Sequence, residues 1–458
     1  MKVGAACYEP QRPYARRHAR VRMTSCRVSC SPAFARSRGR DPQVLIALDD
    51  THLLTRTGPT SAGAARSLRL RTTVLYATPT VSRIFSNLGN GTARIVVVRL
   101  TDATGLLCAV PALRALRSAA PNAHITLLGL PSAAELAGRF SSYVNDFIST
   151  PRGPRIGGEY DLAVELQGPG EQLHALTAQL GARFTAGFRN GSPNGTNDAS
   201  QLRVEWPEQG PELLRLLLLV RALGIRDQGD ALEFPFTPHD RSELQSCGDA
   251  LALVGGPFVC IQPGARLPER RWQASRYARV ADALAVHGLR IALTGPASDR
   301  PVAEAVAARM RTRAIDLTGC LTIGAFAVLL DYAYLLISND TGVTRLAEAI
   351  GTPSVTIASG SDVPLWRPSD RARYRVLWLP GSERPSAERL FSTWPDNASG
   401  ITVEAVLDAC DALLAEPALK QRAAVRAHLA RLRHESRLAR PLAPTPARTD
   451  ESRVLRAS

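Results

Sequence analysis

The chain has 458 residues, 45% of them hydrophobic, and a formal net charge of +15. That length predicts two globular domains with additions rather than one core, and no run approaches the roughly 18 apolar residues of a membrane span. The charge is uneven: residues 1–90 carry 15 Lys or Arg against four acids, while the remainder holds 41 basic and 37 acidic groups, so the main body gives no reason to expect nucleic acid as a partner.

Eight cysteines are present. No Cys-x-x-Cys pair and no Cys/His cluster at zinc spacing occurs, which speaks against a disulfide scaffold or a zinc module. Cys108 and Cys260 sit in apolar segments and read as small core hydrophobes.

Residues 1–92 read as a basic, disordered extension, or as sequence upstream of the true translation start. A membrane-surface or nucleic-acid-binding tail is the alternative. No apolar stretch follows the early charges, so a secretory signal is not expected. At Ala93 the pattern changes. Arg94-Ile95-Val96-Val97-Val98 is a β-branched run of the kind buried on both faces of a parallel sheet. A loop from Arg99 to Gly105 and a helix from Leu106 to about Ala119, with Pro111 inside it, are expected next. Strands at 125–129 and 161–166 flank a helix at 133–140. The βαβαβ alternation predicts an open doubly wound sheet whose ligand crevice lies at the strand C-termini.

Residues 190–201 read as a polar surface loop, 211–223 as a helix, and 226–246, with Pro235 and Pro238, as irregular linker. A second βα series begins at Phe258. It comprises strands at 258–261, 290–294, 335–337 and 354–357, with helices at 274–287, 300–310 and 343–350. The predicted organisation is therefore an extension at 1–92, one α/β domain at 93–250 and a second at 251–415. An Arg/Ala-rich helix at 421–439 and a frayed end lie within a tail at 416–458.

Polar groups gather where the second series of strands ends. Gln262-Pro263-Gly264-Ala265-Arg266 and Arg270-Arg271-Trp272 follow the first strand, and Gly295 to Asp299 follow the next. Ser338-Asn339-Asp340-Thr341-Gly342 lies on a turn from strand into helix. A helix N-terminus offers backbone N–H groups to an anion, most naturally a phosphate, and Arg266, Arg270 and Arg271 suit a diphosphate. Two plainer alternatives stand: Asp340 or Thr341 caps its helix, and Asp299 caps another rather than accepting from a ribose hydroxyl.

These residues resemble glycosyltransferase family 9, the ADP-heptose:lipopolysaccharide heptosyltransferases. The match rests on Ser338 to Gly342 continuing through Leu346-Ala347, Ala349 and Gly351-Thr352-Pro353. It is joined by Pro263-Gly264-Ala265, Arg270-Arg271-Trp272 and Leu293-Thr294-Gly295. In the first half it takes in Pro111 to Arg117 and Tyr160 to Gly168, so that it spans roughly 93–415.

The resemblance implies a GT-B fold, two doubly wound parallel-sheet domains facing across a cleft. It also implies inverting, metal-independent transfer of heptose from an ADP-sugar to a lipopolysaccharide-core glycan, with no cofactor beyond that donor. Arg270 would serve catalysis. Gly264, Arg266, Arg271, Asp299, Asp340, Thr341, Gly342 and Arg345 would hold the donor. The enzyme would be cytoplasmic, with peripheral contact at the inner membrane.

Two positions depart from the family pattern. Where the family carries Gly-Asp, the Asp being its proposed general base, this chain has Thr104-Gly105. The nearest carboxylate, Asp102, becomes the candidate base, with Glu165 behind it. The family's His after the Asp-Thr-Gly turn is Arg345 here. The alternative function is therefore a catalytically weak or inactive nucleotide-sugar-binding relative.

Overall fold

The computed structural model describes residues 93–149, 159–190, 200–207, 210–358, 368, 370–378 and 400–416. The expectations for the basic extension and for the helix at 421–439 fall outside those residues. From Arg94 onward, β1 (Arg94–Arg99) is buried at every position after the first, as its β-branched run requires. It shares a sheet with β2 (His124–Gly129), β3 (Asp146–Ser149), β4 (Leu162–Glu165), β5 (Phe184–Arg189) and β6 (Gln201–Glu205). All recorded pairs are parallel, in the order β3-β2-β1-β4-β5-β6. Connecting helices are α1 (Ala103–Leu107), α2 (Val110–Ala119), α3 (Ala134–Gly138), α4 (Glu171–Gln179) and α5 (Glu212–Ala222).

Next come α6 (Pro238–Ser246) and α7 (Gly248–Val254). The second sheet holds β7 (Phe258–Gln262), β8 (Arg290–Leu293), β9 (Ile315–Asp316), β10 (Leu335–Asn339), β11 (Ser354–Ile357) and β12 (Tyr374–Leu377). Its order is β12-β11-β10-β7-β8-β9, again parallel. Its helices are α8 (Ala274–Val286), α9 (Arg300–Ala307), α10 (Ile323–Tyr332), α11 (Val343–Ile350) and α12 (Val403–Ala415).

Counted from its own first strand, each sheet has one and the same order, with a switch point between its first and fourth strands. Ligands of such sheets bind at the C-terminal edge beside that switch. In the second half the edge is formed by the ends of β7 and β10, where the loop after Gln262 and the turn after Asn339 meet. The architecture is GT-B, as the resemblance implies.

Both sheets belong to one compact unit. A single apolar core runs from Ile95 and Leu113 through Leu216 and Leu219 to Leu329, Leu330 and Leu346. A second, around Val259, Tyr277, Ile337 and Val406, fills the other face of the second sheet. Cys108 and Cys260 lie in these interiors, and burial pushes the Cys108 thiol up to about 11.

Two local expectations are corrected. The helix expected from Leu106 is two helices, α1 and α2, broken at Cys108-Ala109. Pro111 falls in the first turn of α2, where its missing N–H costs nothing. The expected linker at 226–246 is helical from Pro238. There Thr237 accepts from the Asp240 N–H while Asp240 accepts from the Thr237 N–H, a reciprocal cap that overrides the proline signal. Because α6 packs on α10, the chain has already crossed to the second half by Thr237.

Asp240 also receives both Nη atoms of Arg139, at 2.6 and 2.8 Å, and the two side chains are only 2% and 8% exposed. Burial pushes the Asp240 carboxyl up, but the Arg139 and Thr237 hydrogen bonds outweigh it and hold the group below its ordinary value. The depressed value stabilises the fold above the unfolded-state pKa, and this contribution is lost as pH falls through the folded one. R139M should cost about 3–5 kcal/mol at pH 7, because it strands a buried carboxylate. Urea denaturation across pH should show the deficit shrinking as Asp240 protonates.

Candidate functional site

Asn339, the last residue of β10, is fully buried and organises the site. Its Nδ2 donates to the carbonyls of Pro263 (2.7 Å) and Gly264 (3.2 Å), and its Oδ1 accepts the N–H of Trp272 at 2.8 Å. One side chain thus pins both ends of the loop after β7. Trp272, 1% exposed, anchors that loop by donating its indole N–H to the Ile401 carbonyl. Asn339 was legible only as part of a motif, since its reach across the sheet is a tertiary fact.

Beyond Asn339 the chain turns through Asp340 and Thr341 into α11. Gly342, the N-cap of α11, makes no side-chain cap, and Thr341 Oγ1, though buried, makes no hydrogen bond, so Thr341 does not cap the helix with its side chain. The helix start presents a positive dipole end toward an anion, although the N–H groups of Thr344 and Arg345 are already taken by the carbonyls of Thr341 and Gly342. Arg270 lies 3.8 Å from Asp340. Arg271 instead braces its own loop by donating to the Ala265 carbonyl at 2.8 Å, while Arg266 stands exposed.

Asp299 precedes α9 but does not cap it with its side chain. Its carboxylate lies against Gly264 so closely that a methyl there would collide with it. Burial pushes this carboxyl above its usual range, and the charge of Arg271 pulls it partly back. Gly264, Asp299, Arg270, Asp340, Thr341 and Gly342 therefore share one edge of the second sheet.

Between the ends of β7 and β8, the segment 317–326 and the start of α11 lies a cavity of about 290 Å³. Leu317, Leu321, Phe326, Val343 and Leu346 make it apolar, and Gln262, Thr294 and Thr322 supply polar points. Leu317, Leu321 and Phe326 went unread as site residues, since nothing local separates an apolar residue lining a cavity from one in the core.

Arg345 is placed elsewhere. It forms an ion pair with Glu348 one turn on, and both line a second cavity of about 430 Å³ with Asp230, Asp370, Arg373 and Tyr374. Arg373 in turn lies 3.7 Å from Asp370.

In the first half, Asp102 is exposed and is the N-cap of α1. Its Oδ1 accepts from the Gly105 N–H at 2.8 Å and from Thr104 Oγ1 at 2.9 Å. Arg99, 1% exposed, holds this loop from below through the carbonyls of Gly105 and Leu166 and the carboxylate of Glu212. Glu165 is fully buried, its Oε2 accepting from Arg203 at 2.7 Å beside His174 at 2.8 Å, so it does not stand open to the cleft. Among the described residues, no three His, Cys, Asp or Glu side chains are grouped as a metal ion would need.

Two parallel sheets of the same strand order, with the Asp-Thr-Gly turn at the switch point of the second, define a GT-B fold. The sequence model of glycosyltransferase family 9 (heptosyltransferase) matches residues 154–392, just over half the chain, and the chain belongs to that family. The match starts after the first strand, so the loop carrying Asp102 lies outside it. Lipopolysaccharide heptosyltransferase 3 of Escherichia coli is 32% identical over 131 residues, 28% of this chain and 37% of that protein. In sequence, the chain spans less than half the length of the curated relatives it matches.

Among solved structures, the glycosyl transferase family 9 protein of Veillonella parvula superposes with a TM-score of 0.61 at 23% identity. It covers 70% of this chain and 97% of that one. The ADP-heptose lps heptosyltransferase II of E. coli gives 0.55 at 21%, covering 70% and 98%. At these identities the likeness establishes the fold.

Replacing Asn339 by Ala should take a partner from the Trp272 N–H and from the Pro263 and Gly264 carbonyls. At about 1 kcal/mol or more for each buried group, the variant is expected to lose about 2–4 kcal/mol in chemical denaturation. A loss below 0.5 kcal/mol, roughly the level of a surface change, would mean that the clamp contributes nothing.

Proposed function

We propose that this protein is an inverting, metal-independent glycosyltransferase. It would move heptose or a related sugar from an ADP-sugar to a lipopolysaccharide-core or similar glycan acceptor. The observation that carries this reading is the start of α11, with the unpartnered Thr341 hydroxyl, next to Arg270 and an apolar cavity of about 290 Å³. In this reading the diphosphate rests on the N–H groups of the turn and the nucleobase enters the cavity. Asp299 takes a ribose hydroxyl.

The acceptor oxygen attacks the anomeric carbon as the bond to the β-phosphate oxygen breaks. The bonding pair leaves with ADP, and in-line attack inverts the anomeric centre. Arg270 and the helix dipole stabilise the charge that develops on the leaving diphosphate. Asp102 takes the acceptor's proton, since it is the carboxylate of the loop at the end of β1. The same reading has the protein in the cytoplasm, in peripheral contact with the inner membrane face, where a lipid-linked acceptor would be presented. Arginines of residues 1–92 would favour an anionic surface. No nucleic-acid partner is invoked.

A second reading, a nucleotide-sugar-binding relative with weak or no transfer, is favoured by one observation. Gly105 occupies the acid position, and Asp102 Oδ1 is already engaged twice.

Two variants test the assignment. R270A should weaken ADP binding by about 10–150-fold in calorimetry, the value of one charge-assisted contact; unchanged affinity would remove Arg270 from the donor site. With ADP-heptose and a lipopolysaccharide core lacking heptose, D102N should lower kcat by about 10²-fold or more, as loss of a general base does, with ADP affinity within a few-fold. Transfer by D102N at over a tenth of the wild-type rate would reject Asp102 as the base. Absence of transfer by the wild type, with ADP binding intact, would favour the second reading.

A further inference from the structure

The two halves meet at a close contact between the loop after β1 and the Asp-Thr-Gly turn. A methyl group built on Gly342 would collide with Oγ1, Cβ and Cγ2 of Thr104 together, so the threonine side chain is seated directly on the glycine. Among the described residues lining the cavity of about 290 Å³, Thr104 alone comes from the first half. Its hydroxyl donates to Asp102 Oδ1 at 2.9 Å, the oxygen that also takes the Gly105 N–H. The Asp102 carboxylate is thus oriented by its own helix and by a side chain that rests on the opposite domain.

We propose that Thr104 is a positioning residue for sugar transfer, its seat on Gly342 tying the orientation of the Asp102 carboxylate to the donor turn of the other half. This rests on the function proposed above. Where the family pattern has Gly-Asp, this chain has Thr104-Gly105, so the threonine supplies a side chain that glycine lacks. A free-standing Asp102 would sample several rotamers. With Oδ1 held at two points, Oδ2 keeps one direction and the proton acceptor is set in place before attack. The contact also explains the glycine at 342: anything larger would hold the halves apart at the point where the diphosphate is proposed to bind.

The experiment separates bulk from hydroxyl. ADP affinity is measured by calorimetry, and transfer is measured from ADP-heptose to a lipopolysaccharide core lacking heptose. T104V keeps the seat and loses the hydroxyl. It should lower kcat at least about tenfold with ADP affinity and donor KM within about threefold, while T104S stays near wild type. G342A should weaken ADP binding at least about tenfold. The double variant T104G/G342A, which exchanges the bulk across the contact, should recover most of that affinity while kcat stays low.

T104V at more than half the wild-type kcat overturns the positioning role. An ADP affinity of G342A equal to wild type, or no recovery in the double variant, overturns the seat. If G342A does not fold, the T104V and T104S pair alone decides. A wild type that binds ADP and transfers heptose, with T104V unimpaired, sinks this inference and leaves the proposed function standing. A wild type that neither binds ADP nor transfers sinks both.

Discussion

The buried amide of Asn339 is the interaction on which the site depends. A parallel sheet delivers its loops to one edge but does not say how far each stands from the next. Asn339 sets that distance between two of them. Its donor side holds Pro263 and Gly264, and its acceptor side holds Trp272. An amide is the side chain that can do both, because it carries a carbonyl and an NH₂ group in one plane. A carboxylate would face two carbonyl oxygens, and an apolar residue would strand three backbone groups of buried residues. Arg270, Gly264 and the start of α11 are consequently brought to one place by a residue that itself need not touch a ligand.

The halves are joined by contacts of different kinds. The Arg139–Asp240 pair is buried, bidentate and tied into a helix cap, so it acts as a fixed strut from α3 to α6. Arg99 is also buried, but it is spent within the first half, holding the loop after β1 to the ends of β4 and α5. Thr104 on Gly342 is a close steric contact within the packing of α1 on α11, whose Leu106, Leu107, Val343 and Leu346 lie in the shared core.

Much of the fold was legible in the sequence because its signals are local. The β-branched run at 94–98 and the apolar runs at 258–261 and 335–337 all became central strands, and α8 and α11 followed their apolar spacing. The misses have physical causes. The strands β3, β5, β6, β9 and β12 lie off the sheet centres, where one face or one end is more exposed and the apolar signal fades. In α6 a proline was read as a breaker although it stood at the first helical position behind a capping threonine. At Cys108-Ala109 nothing local marks a break. It follows from the cap at Asp102, which starts a short helix that packs against α11.

Sequence by itself determined the doubly wound class and the strand edge on which a ligand would be met, because both follow from periodicity along the chain, while the family came from the resemblance of its motifs. Tertiary structure decided which residues meet there. It set Asp299 on Gly264, left Gly342 at the start of α11 without a side-chain cap, turned Arg345 toward Glu348 in a separate cavity, and showed Asp102 bound by Thr104. Such outcomes depend on side-chain directions across a sheet and between domains, over separations of tens to hundreds of residues. A carboxylate or a guanidinium looks the same in sequence whether it ends facing a ligand, a helix start or its own loop.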